Sequence, residues 1–392
     1  MLSPAAIQAV PVILLALAAA AVVSFLLTPL AIRSARQIGA LDLPDSGRRV
    51  HQRPVPRTGG LAVAGAFVLV GAAGLAANEL FHFAPALREV RGPQVLALLA
   101  GVGLGAALGY LDDRFQLRAR WQLLGQLMLA VVAIVAGVQI DSVVNPLGGG
   151  LIRFDGAAAA AVTVVWIVGM INSANFVDGL DGLLAGIAII ATITLGVVSL
   201  IGEPPNVQPF VAVLCALLAG ALLGFLPWNF HPAKVFIGTA GVFAVGYALA
   251  VLAVLGTAKV AVALLVLGVP IIDTFWVIIR RLASRRAPFS ADRGHFHHRL
   301  LDLGLTHRRA VLLIYGLCAV LAALSLLLSG RGQISAFVVI VIGSGLLLFL
   351  LTRRARLALE AASYPADAEA LTDGAEATPE AATSPGQPEG SA

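Results

Sequence analysis

Asn172-Ser173-Ala174-Asn175-Phe176-Val177-Asp178-Gly179-Leu180-Asp181-Gly182-Leu183 joins two long apolar stretches, one ending in Trp166–Ile171 and the other running on from Leu183. Two carboxylates and two asparagine amides thus fall between segments that are each long enough to cross a bilayer. Hydrocarbon does not solvate such groups, so they require water, a cation or a polar ligand at that depth. Gly179 and Gly182 interrupt the preceding helix and let backbone approach a ligand closely. A plain helix–helix cap using Asn and Asp for turn chemistry is the competing reading. It loses ground because similar polar clusters recur along the chain.

Outward from this junction the chain is apolar almost throughout. Its 392 residues are 59% hydrophobic and 12% charged, with a mean hydropathy of +0.93. Crossing a bilayer takes roughly 20 apolar residues, and eleven stretches qualify: 6–32, 61–80, 94–111, 122–140, 156–174, 183–201, 208–228, 236–255, 259–281, 310–329 and 333–352. The runs are too long for barrel strands and do not alternate as such strands do. Gly101, Gly105 and Gly109 stand in the small-xxx-small spacing that suits close helix packing in lipid. The expected fold is therefore an all-α polytopic membrane protein of about eleven transmembrane helices, residues 1–356, followed by a disordered acidic tail, 357–392. That tail holds seven acids, four prolines and no Lys or Arg. Cys215 and Cys318 sit inside apolar spans and read as small buried hydrophobes, not as disulfide partners or metal ligands.

Eleven spans put 21 of the 26 Lys and Arg residues on one side. The positive-inside rule makes that side cytoplasmic, with the N-terminus outside and the C-terminus in the cytoplasm. Every polar cluster then lies on the cytoplasmic face. The first cluster, Asp42 to Gly60, includes Arg49 and His51 among Pro and Gly residues; its cations suit a phosphorylated ligand or anionic headgroups equally. Asp112-Asp113-Arg114 ends the third span. Adjacent carboxylates repel unless a cation or proton is shared, although Arg114 and Arg118 in a solvated helix end would also serve. Asn229, His231 and Lys234 follow the seventh span and are donors for phosphate or sugar hydroxyls. Phe236 beside them suits stacking on a base or ordinary packing. Asp273 lies near Arg280 and Arg281 and reads as structural. Arg293, His295, His297, His298 and Arg299 are crowded into the longest basic loop without zinc-site spacing, so anion binding is the better reading.

Taken in this order, Asp42–Gly60, Asp112-Asp113, Asn172–Leu183, Asn229–Gly241 and Asp292–Arg299 resemble the polyprenyl-phosphate N-acetylhexosamine-1-phosphate transferase superfamily of the MraY/WecA type. The His295-x-His297-His298 pattern is similar to the WecA/TagO branch of glycosyltransferase family 4. The resemblance implies a Mg²⁺-dependent cytoplasmic site, with Mn²⁺ as an alternative ion, in a bacterial plasma membrane. It implies transfer of a sugar 1-phosphate from a UDP-N-acetylhexosamine to a polyprenyl phosphate, with release of UMP, to initiate a cell-envelope polysaccharide. By that resemblance Asp112, Asp113, Asp178 and Asp181 are the catalytic acids, and Asp112, Asp113 and Asp178 hold the metal. Arg49, His51, Asn172, Asn175, Asn229, Lys234, Phe236, Arg293, His295, His297 and His298 contact substrate. No nucleic-acid partner is implied, and homodimerisation stays open.

One departure stands out. The resemblance gives an Asp metal ligand where this chain has Thr239, after Gly238. A catalytically silent relative therefore remains an alternative. A secondary transporter fits less well, because the acids gather at span ends and no inverted repeat is visible.

Overall fold

A computed structural model describes residues 3–42, 54–84, 92–145, 148–201, 207–256, 259–268, 271–273, 275–276, 279, 300–301, 303–328 and 331–346. Helices α1 (Pro4–Ile38), α2 (Gly59–Phe81), α3 (Gly92–Phe115), α4 (Ala119–Val135) and α5 (Gly156–Val177) come first. They are followed by α6 (Leu183–Leu200), α7 (Pro209–Asn229), α8 (Gly238–Leu255), α9 (Lys259–Val266) and α10 (His307–Leu327), then α11 (Arg331–Leu346). Eight of these are long and apolar enough to span a membrane; α4, α9 and α11 are shorter, and each coincides with an expected span. The chain is an all-α polytopic membrane protein. Residues Met1–Val341 form one compact unit, and of a second, Ile342–Ala392, only the end of α11 is described. The expected acidic tail lies outside the described residues.

The helices pack by small residues, as their sequence spacing predicts. A methyl group added at Gly101 would strike the Tyr247 ring, and one at Gly109 would strike the backbone of Thr239 and Ala240. Gly105 faces the backbone of Phe243, so one glycine stripe on α3 lies flat against α8. Gly220 and Gly224 on α7 meet the α1 backbone at Leu17 and Ala21 in the same way. Without a hydrophobic driving force in lipid, close backbone approach supplies the dispersion contacts that hold such helices together. Two polar side chains bond across helix pairs. Trp166 Nε1 donates to Ala250 O at 3.0 Å, tying α5 to α8, and Tyr247 Oη donates to Ala97 O at 3.0 Å, tying α8 to α3. From Gly238 to Ala253, α8 is buried along its whole length, whereas α1 leaves Leu14, Leu15, Leu26 and Leu30 exposed. Cys215 and Cys318 are buried and free, as expected.

Two details differ from the sequence reading. The stretch between Asp141 and Asp155, which the span limits leave as a plain connection between 122–140 and 156–174, forms a hairpin of β3 (Ser142–Val144) and β4 (Leu151–Arg153). Glycines 148–150, all at positive φ, make its turn. At the other end of the bundle, α1 runs past its expected limit to Ile38, where left-handed Gly39 caps it. Then β1 (Leu41–Asp42) pairs with β2 (Val55–Pro56) and brings the chain straight back to α2.

The glycine stripe yields a paired test. No heavy atom lies within 4 Å of a β-carbon added at Gly103, on the side of α3 away from the packed face. Overpacking of a tight interface costs on the order of 1–3 kcal/mol. Gly109→Ala should therefore lower the thermal midpoint in detergent, while Gly103→Ala should hold or raise it. Equal effects of the two would contradict the packing described.

Candidate active site

The polar site begins where the glycine stripe of α3 ends. Asp113 follows Gly109 by one helical turn and so points at the same neighbour, the start of α8. The first amides of a helix have no partner within it, and α8 has no capping side chain at its own N-cap, Ile237. Asp113 supplies the missing acceptors: Thr239 N–H donates to Oδ1 at 3.0 Å, and Ala240 N–H donates to Oδ2 at 3.1 Å. Gly238 stands at φ +67°, and a side chain there would collide with Arg57 O and the Asp113 carboxylate. The loop before α2 is laced to this point by three backbone bonds. Phe236 N–H donates to Pro56 O at 2.8 Å, Gly59 N–H to Phe236 O at 3.0 Å and Gly60 N–H to Ile237 O at 2.7 Å. Arg57 is thereby placed with its guanidinium 3.7 Å from Asp113 Oδ1 and 3.7 Å from Asp42 Oδ1.

Asp178 ends α5, and Gly182, left-handed at φ +80°, starts α6. Between them the chain turns so that Asp178 feels the charges of Arg57, Asp113 and Asp181. Asp178 keeps part of its surface exposed, but the protein packed around its carboxyl pushes the pKa up to about 7. Asp113 and Asp181 push it further in the same direction, and Arg57 opposes them.

Asp181 organises a second cluster. Its Oδ2 lies 2.7 Å from His231 Nδ1 and accepts from Ala233 N–H at 3.1 Å. Its own N–H donates to His307 Nε2 at 2.9 Å. The His231 and His307 rings stack at 4.2 Å between centroids, and Arg308 Nε donates to His231 O at 3.0 Å. With Nδ1 held by the carboxylate, His231 has Nε2 as its remaining basic nitrogen. Ligand atoms of Asp181, His231 and His307 all lie within 4.8 Å of one another, a spacing that could hold a metal ion. Asp181 Oδ2 and His231 Nδ1 already bond to each other, and His307 Nε2 accepts from the Asp181 N–H. Asp178 is the more open donor, because no hydrogen-bond donor among the described residues reaches it, whereas Asp113 already accepts from two amides.

Asn172 and Asn175 meet Gln122 and Gln126 around a cavity of about 200 Å³ between α4 and α5. Asn172 Nδ2 donates to Gln126 Oε1 at 2.7 Å, and Asn175 is exposed. Asp112 is tied to the adjacent corner, where its Oδ1 accepts from Leu117 N–H at 3.0 Å and Gln122 Nε2 at 2.8 Å.

Of the residues singled out in the sequence, Asp113, Asp178 and Asp181 are drawn together, and Asn172 and Asn175 share one cavity. Asn229 is buried and braces its own loop through Nδ2 to Val235 O at 3.0 Å, so its amide holds backbone in place of facing a ligand. Lys234 is exposed with its ammonium 5.3 Å from the Trp228 ring centre. Phe236 is half-buried beside the Arg57 loop. Arg49, His51, Arg293, His295, His297 and His298 lie outside the described residues. The sequence reading did not single out Arg57, Gln122, Gln126 or His307. His307 and Asp181 are 126 positions apart, and no local pattern joins them.

The family model described as "Glycosyl transferase family 4" matches residues 95–257, which contain all three clustered acids. A Bacillus subtilis protein named "Probable undecaprenyl-phosphate N-acetylglucosaminyl 1-phosphate transferase" is 35% identical over 297 residues, covering 74% of this chain and 77% of its own. The chain belongs to glycosyl transferase family 4. Two other members of family 4 are named decaprenyl-phosphate N-acetylglucosaminephosphotransferase. That of Mycolicibacterium smegmatis is 36% identical over 322 residues, 76% of this chain and 77% of the relative. That of Mycobacterium leprae is 34% identical over 366 residues, 86% and 89% respectively.

The raised pKa of Asp178 predicts a pH dependence. Between its ordinary value of 3.8 and about 7, the folded chain holds a proton that the unfolded chain has released. Stability should fall as pH rises through that window and then level off. In metal-free detergent solution, Asp178→Asn should melt above the parent chain at about pH 8 and match it near pH 4. Parallel melting curves across that range would contradict the burial described.

Proposed function

We propose that this chain transfers N-acetylglucosamine 1-phosphate from a UDP-sugar to polyprenyl phosphate and releases UMP, as the opening step of an envelope polysaccharide. The observation that carries the reading is the meeting of Asp113 and Asp178 beside Arg57, with Asp181 close enough to act on Asp178, where helix ends remote in sequence join. In the reaction an oxygen of the lipid phosphate attacks the sugar-bearing phosphorus. The bond from that phosphorus to the bridging oxygen breaks, and UMP leaves with that oxygen. Moving a phosphoryl group between anions is chiefly a matter of positioning and charge neutralisation.

The residues fit a hard divalent cation, Mg²⁺ or Mn²⁺. Their donors are carboxylate oxygens, and a buried acid pushed up to about 7 beside two others is relieved by positive charge. Asp178 and Asp113 would hold the ion, which when bound supplies charge stabilisation to the leaving phosphate. Arg57 pairs with Asp113 and adds a second positive group. Asp181 orients His231, whose Nε2 is available to a substrate phosphate. The neutral amides of Gln122, Gln126, Asn172 and Asn175 suit sugar hydroxyls and the acetamido group. Cations of the loops, Arg49, Arg293 and the three histidines up to His298 included, would complete phosphate binding on the cytoplasmic face of a bacterial plasma membrane.

Thr239 favours a second reading, a relative that binds nucleotide-sugar without turnover, because its hydroxyl brings no negative charge. Purified full-length chain incubated with labelled UDP-N-acetylglucosamine, Mg²⁺ and undecaprenyl phosphate separates the two. We expect equal amounts of lipid-linked sugar and UMP. Asp178→Asn and Asp181→Asn, folded and equally expressed, should each reduce turnover by about tenfold or more. Tight UDP-sugar binding with no lipid-linked product would establish the silent relative instead.

A further inference from the structure

A second cavity, about 430 Å³ in volume, opens where α1 leaves the bundle. Its wall includes Arg33 and Arg36 from the last turns of α1 and Lys234 from the loop after α7, with Pro56 and Trp228 as apolar surfaces. The described lining holds three cations and no acid. Lys234 is steadied against Trp228, 5.3 Å from its ring centre, and none of the three cations pairs with a carboxylate among the described residues. The carbonyl end of α1 offers only about half a negative charge against them, so the cavity is net positive and suits an anion.

The surroundings say which kind. Leu26 and Leu30 on α1 are exposed, at 62% and 54%, and Arg33 follows them at helical spacings of seven and three. One stripe therefore runs from lipid-facing leucines directly to the cations. Trp228 packs on Phe25 at 5.3 Å and continues that apolar side. The cavity shares its wall with the acidic site, since Pro56 precedes Arg57 and Ala233 N–H binds Asp181.

We propose that this cavity is a binding site for a phosphorylated lipid, with the phosphate held by Arg33, Arg36 and Lys234 and the chain lying along the Leu26–Leu30 stripe of α1. Two lipids carry that chemistry, the polyprenyl phosphate acceptor and an anionic phospholipid of the bilayer. The test titrates detergent-solubilised full-length chain with undecaprenyl phosphate and, separately, with phosphatidylglycerol, reading the thermal shift, so it does not depend on turnover. Arg33→Gln/Arg36→Gln should weaken binding of at least one lipid by about tenfold or more. Arg33→Lys/Arg36→Lys, which keeps the charges, should bind as the parent does, and so should Arg153→Gln on the distant hairpin. Weakening confined to undecaprenyl phosphate identifies the acceptor as the occupant, and weakening confined to phosphatidylglycerol identifies a bilayer lipid. Unchanged binding of both overturns the site. Inorganic phosphate binding as tightly as either lipid overturns the role of the chain.

Discussion

The carboxylate of Asp113, seated on the first amides of α8, is the interaction on which the rest of the site depends. A helix start buried in a membrane bundle cannot leave its N–H groups to water, so an acceptor must come from elsewhere in the fold. Asp113 can supply it because Gly101, Gly105 and Gly109 let α3 lie against α8 and deliver the next residue of that stripe to the helix end. The same contact requires a glycine at 238 and draws in the Arg57 loop. It also places a second carboxylate near Asp178, whose carboxyl is already pushed upward by burial. Packing, capping and electrostatics thus converge on one residue. Its loss would leave unpaired helix amides and an Arg57 without its nearest partner in the site.

Asp181 plays the matching part on the other flank. It joins the start of α6 to the loop after α7 through His231 and Ala233, and to the start of α10 through His307. Together the two acids tie helix ends that are remote in sequence into one polar face. This is the arrangement the proposed lipid–nucleotide transfer needs, because in it one substrate would arrive through the bilayer and the other through water.

Much of this was legible in the sequence, for a physical reason. In lipid every backbone group must be satisfied within helices, so hydropathy reveals them. Asp178 and Asp181 were visible because acids between apolar spans are costly and need a purpose. The Gly101–Gly109 spacing foretold close packing of α3, though not that α8 is its partner. What stayed hidden depends on distance or on local bonding. Nothing near His307 announces its bond to Asp181 across 126 positions. Asn229 reads as a ligand contact in sequence but closes its own loop. Asp112 is indistinguishable from Asp113 until the fold gives one to the α3–α4 corner and the other to α8.

Position 239 brings these strands together. The Thr239 amide bonds to Asp113, so a carboxylate substituted there would stand near that of Asp113. If these groups face one divalent cation, added negative charge must strengthen its binding. The direct measurement is a Mg²⁺ titration of transfer at saturating UDP-sugar for the parent chain and for Thr239→Asp. The account predicts that the variant reaches half-maximal rate at a lower Mg²⁺ concentration. An unchanged or higher requirement would mean that position 239 does not face the ion and that the acids around Arg57 are not its site.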